Sequence, residues 1–600
     1  MRCVCLAVLF LSSVTFAQAA DELPRSLDPR LRIELFAEQP LIATPTGLDV
    51  DSQGRVWAIE CNTHFRPENY PGHPSDRILV FNGVDDAGRA KPPVVFADGF
   101  SATMSVAVRP VWMPPVRLPG IDQGDEAALA KTTQAYLATR ARIFLLEDVD
   151  GDLVADRRTV LFELDTKGDY PHNGFAGFAF DAVGNVFVGM GENLGEPYKV
   201  RDRSGAVVYE HDEGGHVYRF QPDGTGFRLW ANGCWNPHAS CFDAFGRMFS
   251  VDNDPDSRPP CRLLHIIEGG DYGYHFKNGR KGLHPFTSWN GELPGTLPMV
   301  AGTGEAPSGV TAYEHEALPA EYRGHLIATS WGDHRVDVFR LKPKGLSFEA
   351  VAEPFIVGGE NFRPVGLALA PDGSLYCTDW VLRDYKLHGK GRIWRISAGD
   401  GKAIRPDFDS IVSETRLNVL KRTLESPIGT VRRLAARRLN DVAGLQSVAF
   451  LRTAGNASER ARYEALAAVV VTPNADAPRQ LRDIFGPKSP PFDSTFTRMS
   501  NFGDQPSLQR MQSLLTDLNG SDPMYVLGGM KAFVPVLRAA SGKAPAKIVE
   551  LLNGAVARFD AFGLAALARE CAAGLPEETL LKLLQSESKF SPELRLAVLL

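Results

Sequence analysis

The eight cysteines form no C-x-x-C and no C-x-x-C-H, so the sequence offers neither a zinc ribbon nor a c-type haem attachment. Charge of one sign is also scarce. Sixty-five basic against 72 acidic residues leave −7 over 600 positions. That field is too weak to make nucleic acid the main ligand. The acidic excess lies in residues 1–400 and a basic excess in 401–600, as expected of two modules of different character. Beyond the N-terminus no apolar run approaches the ~20 residues that cross a bilayer, so no internal transmembrane helix is expected, and any membrane association has another origin. Residues 1–19 read as a secretory signal. Arg2 is followed by an apolar stretch from Val4 to Ala17 and the small-residue pattern Ala17-Gln18-Ala19. Cys3 and Cys5 lie too early for a lipid-attachment box. The expectation is export across the inner membrane, to the periplasm or cell envelope. Six cysteines then remain: Cys61, Cys234, Cys241, Cys261, Cys377 and Cys571. Export permits disulfides, and Cys234, Cys241 and Cys261 are close enough in the chain to pair among themselves.

What is present is a repeat. "TGLDVDSQGRVWAIE" from Thr46, "AGFAFDAVGNVFVGMGE" from Ala176, "ASCFDAFGRMFSVDND" from Ala239 and "VGLALAPDGSLYCTDW" from Val365 share one plan. A small residue precedes an alternating strand, an Asp-rich turn with Gly, a second strand, and acidic or amide residues. Period-two alternation marks half-buried strands, and the Gly lets the chain reverse where φ is positive. Weaker copies begin at Met104 and Ser308. Six copies roughly 60 residues apart imply a six-bladed β-propeller over 30–398. Pro114 to Thr139 reads as an excursion between blades.

After Arg405 the alternation stops. "SPIGTVRRLAARRLND", "ASERARYEALAAVV" and "FSPELRLAVLL" open on Ser or Pro and continue with apolar residues three and four apart. An α-solenoid of HEAT-like repeats is therefore expected over 405–600. The chain stops at Leu600 inside an apolar helical run, as a truncated solenoid would. The Arg-rich helix Val431 to Asn440 reads as a solvated face or a surface for an acidic partner.

Several segments carry candidate chemistry. His172 and Asn173 stand just ahead of a hairpin, where loops of several blades converge. In "CWNPHASCFD", Asn236-Pro237 presents an amide before a strand. "VDNDPDSRP" crowds Asp252, Asn253, Asp254 and Asp256 together, a density of hard oxygens that suits Ca²⁺. "EDVDGDLVAD" places Asp148, Asp150, Asp152 and Asp156 in the one, three, five, nine spacing that opens a calcium loop, although Leu153 takes the turn position that wants Gly and no Glu stands at the twelfth place. Gly269, Gly270 and Gly273 allow tight backbone near a ligand.

"PHNGFAGFAFDAVGNVFVGMGE", "NPHASCFDAFGRMFSVDND", "IIEGGDYGY", "APSGVTAYE" and "FRPVGLALAPDGSLYCTDW" resemble, in this order, the glucose/sorbosone-dehydrogenase propellers that use pyrroloquinoline quinone (PQQ). The layout of signal, propeller and HEAT repeats resembles more specifically the PVC-type membrane-bound dehydrogenases. The haem domain that often ends that family is missing. The resemblance covers most of 30–398. It implies His172 as general base, Asn236 and Arg363 as cofactor contacts, and Asp254 and Pro255 as holders of a Ca²⁺ that polarises the quinone. It also implies a sugar or other alcohol as substrate and a cytochrome domain or protein as electron acceptor. Three departures stand out. Trp235 and Gly332 replace an arginine and a lysine of the family, and Pro171 replaces an acidic residue. Arg335 or Arg258 is left to substitute for the missing cations. Two other functions fit the residues. Glu60, Asn236 and Asp252 could ring a Ca²⁺ in a lactonase-like hydrolase, or the propeller and solenoid could form a binding scaffold without turnover.

Overall fold

The computed structural model describes residues 22–118, 129, 132–345, 347–399, 405–443, 458–470 and 550. The signal call on 1–19 and Cys571 lie outside them. Among these residues no helix is long and apolar enough to cross a membrane.

Six antiparallel sheets stand around one axis. Their first strands are Pro45–Val50, Thr103–Val108, Phe175–Phe180, Asn236–Phe242, Val310–Ala312 and Pro364–Leu369. Each touches the next, and the sixth touches the first, so the ring closes as a six-bladed β-propeller. All six copies of the sequence repeat are these innermost hairpins. The Asp of each strong copy closes its turn: Asp51, Asp181, Asp243 and Asp372 accept backbone N–H groups two residues on. The turn glycines Gly54, Gly184, Gly246 and Gly373 have φ between +71 and +94.

The last blade borrows a strand from the start of the chain. Leu31–Glu38 pairs with Arg392–Ala398 as the outermost strand of that blade, which joins the two ends of the ring. Apolar clusters fill the wedges between blades. Trp57, Phe96 and Leu137 lie between the first two, Tyr136, Phe162, Phe175 and Phe220 between the second and third, and Phe36, Phe81 and Tyr376 between the sixth and first.

Two local expectations change. Within the Pro114–Thr139 segment, Thr133–Thr139 is the second strand of the second blade and not part of an excursion. Instead, Tyr198–Asp202 and Val207–His211 leave the third blade and extend the outer edge of the second. The second correction concerns cysteine. Cys61, Cys234, Cys241, Cys261 and Cys377 are all free thiols, so the expected pairing among Cys234, Cys241 and Cys261 does not occur.

A recurring ion pair locks the blades near the axis. Glu60, Asp252 and Asp379 stand at or next to the end of a second strand, and each faces an arginine at or next to the start of the third: Arg77, Arg262 and Arg392. The three acids also pair with those arginines through their side chains. Asp252 and Asp379 further accept N–H groups from Asn236 and Arg363, which pins where the innermost strands begin.

Four helices are described beyond the propeller: α1 (Phe408–Ser413), α2 (Leu417–Thr423), α3 (Gly429–Ala443) and α4 (Glu459–Val470). The HEAT-like solenoid expected over 405–600 falls mostly outside the described residues. The described helices lie against the propeller, at the end where the Asp turns are. Phe408, Val431 and Leu434 join the core between the second and third blades. Neither reading of the Arg-rich helix holds, because its acidic partners lie within the chain. Arg432 donates to Glu314 at 2.9 Å, Arg433 grips Glu464 with two bonds, and Arg437 donates to the Ala182 carbonyl.

Candidate functional site

The innermost strands all begin at the end of the ring opposite the helices. Their first residues and the loops beside them enclose an axial cavity of about 100 Å³. His172, Asn236, His64, His238, Trp331, Trp380 and Tyr385 are among its walls. A larger polar space of about 280 Å³ continues between the strands.

His172 and Asn173 divide the work of their loop. Asn173 is buried and closes the turn, donating to the Glu192 carbonyl at 2.7 Å. His172 turns to the cavity. Asn236 donates to the His172 carbonyl at 3.1 Å, so these two expected residues do meet. The Asn236 Oδ1 is buried without a hydrogen-bond partner. Such an atom carries a desolvation cost of about 1–3 kcal/mol until a donor arrives.

His64 is a neighbour that the sequence reading missed. Its Nε2 lies 2.9 Å from His172 Nδ1, and its own Nδ1 lies 2.9 Å from the Tyr385 carbonyl. The two rings stack with centroids 5.1 Å apart. Burial is the first cause that pulls His172 down to about 3, and the charges His64 and His238 would carry add to it. Burial also lowers His64 and His238. All three imidazoles are therefore neutral at ordinary pH.

Backbone strain gathers at the same end. Thr44, Phe65, Ala102, Leu194, Asp256, Ala306, His334 and Val381 have positive φ, and all lie in loops on the cavity side of the ring. Val381 is β-branched at φ 79, beside the cavity-lining Trp380. A residue held this way costs about 1–3 kcal/mol and persists where the surroundings overdetermine it, most often at binding sites.

Arg363 does not reach the cavity. It is 1% exposed. Its guanidinium donates to the Trp331 and Gly332 carbonyls, the Glu360 carbonyl and the Glu360 carboxylate. It stands 4.9 Å from the Trp331 ring and so backs the aromatic wall. The substitutes are engaged too: Arg335 pairs with Asp337 and Asp333, and Arg258 with Glu292. A side chain at Gly332 would begin 2.5 Å from Glu305, so this backbone has no room for the family's lysine. Trp235 packs on Tyr274 in an apolar cluster with Trp289. Among the described residues no lysine or arginine lines the cavity. PQQ carries three carboxylates, and these residues do not fit its charge.

The metal candidates separate. Asp252 is fully buried, and its oxygens are taken by Arg262 and by the N–H groups of Trp235 and Asn236. Glu60 pairs with Arg77, so Glu60, Asn236 and Asp252 do not ring a common ion. Asp254 gathers with Cys261 and Glu305 beside Pro255. Two carboxylates and a thiol that burial keeps protonated are a poor set for Ca²⁺, which takes six to eight oxygens. Asp148, Asp150 and Asp156 bring three carboxylates within ligand reach, an oxygen-only set that fits Ca²⁺. Asp152 instead accepts from the Val154 N–H. Leu153 holds φ 67 at the position that wants Gly. This loop lies at the helix end of the ring, away from His172. Gly270 and Asp271 pair with Ala231 and Asn232, and Gly273 packs on Ser288, so these glycines serve close approach within the chain.

A family profile described as a domain of unknown function, DUF7133, matches residues 21–111 and 128–400. The chain belongs to that family. No curated protein matches the DUF7133 chain. Solved structures similar to it include three enzymes. The PQQ-bound aldose sugar dehydrogenase of Streptomyces coelicolor is 16% identical, with 62% of this chain and 99% of that one covered at a TM-score of 0.41. The holo PQQ domain of pyranose dehydrogenase from Coprinopsis cinerea is 12% identical, with 63% and 97% covered at 0.41. A gluconolactonase of Xanthomonas campestris is 14% identical, with 63% and 96% covered at 0.35. At these scores the likeness assigns no chemistry to the DUF7133 chain.

Proposed function

We propose that this dehydrogenase-like propeller binds a neutral hydroxylated ligand, a sugar or other alcohol, in the axial cavity. A ligand hydroxyl donates to His172 Nε2, and Asn236 holds that residue's backbone in place from behind. The observation that carries this reading is the match between an uncharged, aromatic-walled cavity and the His172 imidazole on its wall, whose Nε2 meets no hydrogen-bond donor among the described residues. Trp331 and Tyr385, stacked at 5.3 Å, offer a flat face to the C–H side of a sugar ring. Calorimetric titration with a panel of neutral sugars and polyols tests it. Binding to the wild type that His172→Ala weakens supports the reading, and the absence of binding across the panel ends it.

Oxidation of the bound alcohol is the second reading. It is favoured by the position of the hydroxyl against an imidazole lone pair that can take its proton, and it needs a hydride-accepting cofactor, bound beside the alcohol, to take the two electrons. An imidazole held near 3 is a weak base, so this reading needs a negative charge to arrive beside it and raise it. The quinone and Ca²⁺ implied by the resemblance are not part of it, since the cavity does not fit them. Export and a cytochrome partner remain part of the oxidation reading. Dye reduction on the same panel, with and without added quinone, separates turnover from binding.

A further inference from the structure

The geometry points to His64 as a positioning residue that holds His172 in the Nδ1–H tautomer, so that a lone pair and not a proton faces the cavity. The Tyr385 carbonyl can only accept, so the His64 Nδ1, 2.9 Å away, must donate. A neutral imidazole has one N–H, which leaves His64 Nε2 an acceptor. His172 Nδ1 lies 2.9 Å from that atom and must donate to it. The remaining nitrogen of His172, Nε2, is then unprotonated. The bond made by one ring nitrogen sets the state of the other. Free histidine favours the opposite, Nε2–H form, which would present a donor to a ligand hydroxyl.

The surroundings keep both rings in place. His64 sits edge-on to Phe65 and Trp380, and His172 edge-on to Tyr170 and Tyr385. Burial keeps each ring neutral, with a single N–H apiece. The two residues are 108 positions apart, on the first and third blades, so the relay exists only once the ring has closed.

The inference rests on the reading above for its use, and its test does not. Ring-¹⁵N-histidine labelling of the full chain, with His172 assigned from His172→Ala, reads the tautomer without any ligand. The wild type is expected to give an unprotonated Nε2 and a protonated Nδ1. His64→Leu should move Nε2 toward the protonated range. His64→Gln, whose amide can donate to Tyr385 and accept from His172, should restore the wild-type pattern. A merely structural role would not produce that rescue. A protonated Nε2 in the wild type, or a folded His64→Leu variant with unchanged resonances, overturns the inference. If His64→Leu unfolds, the wild-type spectrum alone decides. In the binding assay His64→Leu should lose about tenfold in affinity, roughly one hydrogen bond. Failure of all sugar binding with the tautomer as stated sinks the proposed function and leaves this inference standing.

Discussion

Replacing Arg262 with leucine should destabilise the propeller by about 3–5 kcal/mol, although Arg262 touches no ligand. Arg262 and Asp252 are both fully buried. The guanidinium gives two bonds to the carboxylate, one each to the Tyr272, Trp289 and Gly233 carbonyls, and lies 3.5 Å from the Trp289 ring centre. Removing it leaves a carboxylate in the core with only the Trp235 and Asn236 N–H groups for compensation. The exposed pair Arg142–Glu163, about half open to solvent on each side, is the control, and cutting it should cost under about 1 kcal/mol. Urea unfolding followed by tryptophan fluorescence measures both. The double variant Asp252→Asn/Arg262→Leu should recover about 0.5–3 kcal/mol relative to the sum of the single changes, because neither charge is then left alone. A loss below about 1 kcal/mol for Arg262→Leu, or strict additivity, would refute the idea that these recurring pairs lock the ring.

Acid should destabilise the fold through its histidines. His172, His216 and His265 sit near 3 in the native state, chiefly through burial, against 6.5 unfolded. The unfolded chain therefore binds more protons between those values, and stability present above about pH 6.5 is lost as pH falls toward 3, at up to about 4 kcal/mol per unit. Denaturant midpoints measured from pH 7 to pH 4 should fall steadily; a flat profile contradicts the assignment. At the far end of the ring, a Cβ at Gly246 would stand 1.8 Å from the Tyr463 hydroxyl. Gly246→Ala should thus lift α4 off the propeller, seen as faster proteolysis of residues beyond 405 with the propeller intact. Equal proteolysis in both proteins would count against that docking. Asn236→Ala should weaken sugar binding less than His172→Ala, since Asn236 acts through its bond to the His172 carbonyl; an equal or larger loss would contradict that role.

The propeller was legible because its signal is local. In the four strong copies the alternation, the Asp that closes the turn and the glycine at positive φ all fall within about fifteen residues, and each became an innermost hairpin. The site was legible only in part. His172 and Asn236 open innermost strands, so the repeat itself put them at the mouth of the axis. His64 lies in "CNTHFRPENYPG", where nothing local marks it, and only ring closure brings it to His172. Arg363 was read by its type, yet its fork is used up by neighbouring carbonyls and Glu360. Asp252 looked like a metal ligand because an acid at a strand end looks the same whether it faces an ion or an arginine. A signal for the second case was present. An arginine follows Glu60, Asp252 and Asp379 at the start of the next strand each time.

The most direct test of the account is a crystal structure of the protein soaked with whichever neutral sugar or polyol binds best. One hydroxyl oxygen is expected within hydrogen-bond distance of His172 Nε2, with the ring against Trp331 and Arg363 still turned away behind it. A ligand seated elsewhere, or an anion in the cavity with Arg363 released from Glu360 to meet it, would contradict the account.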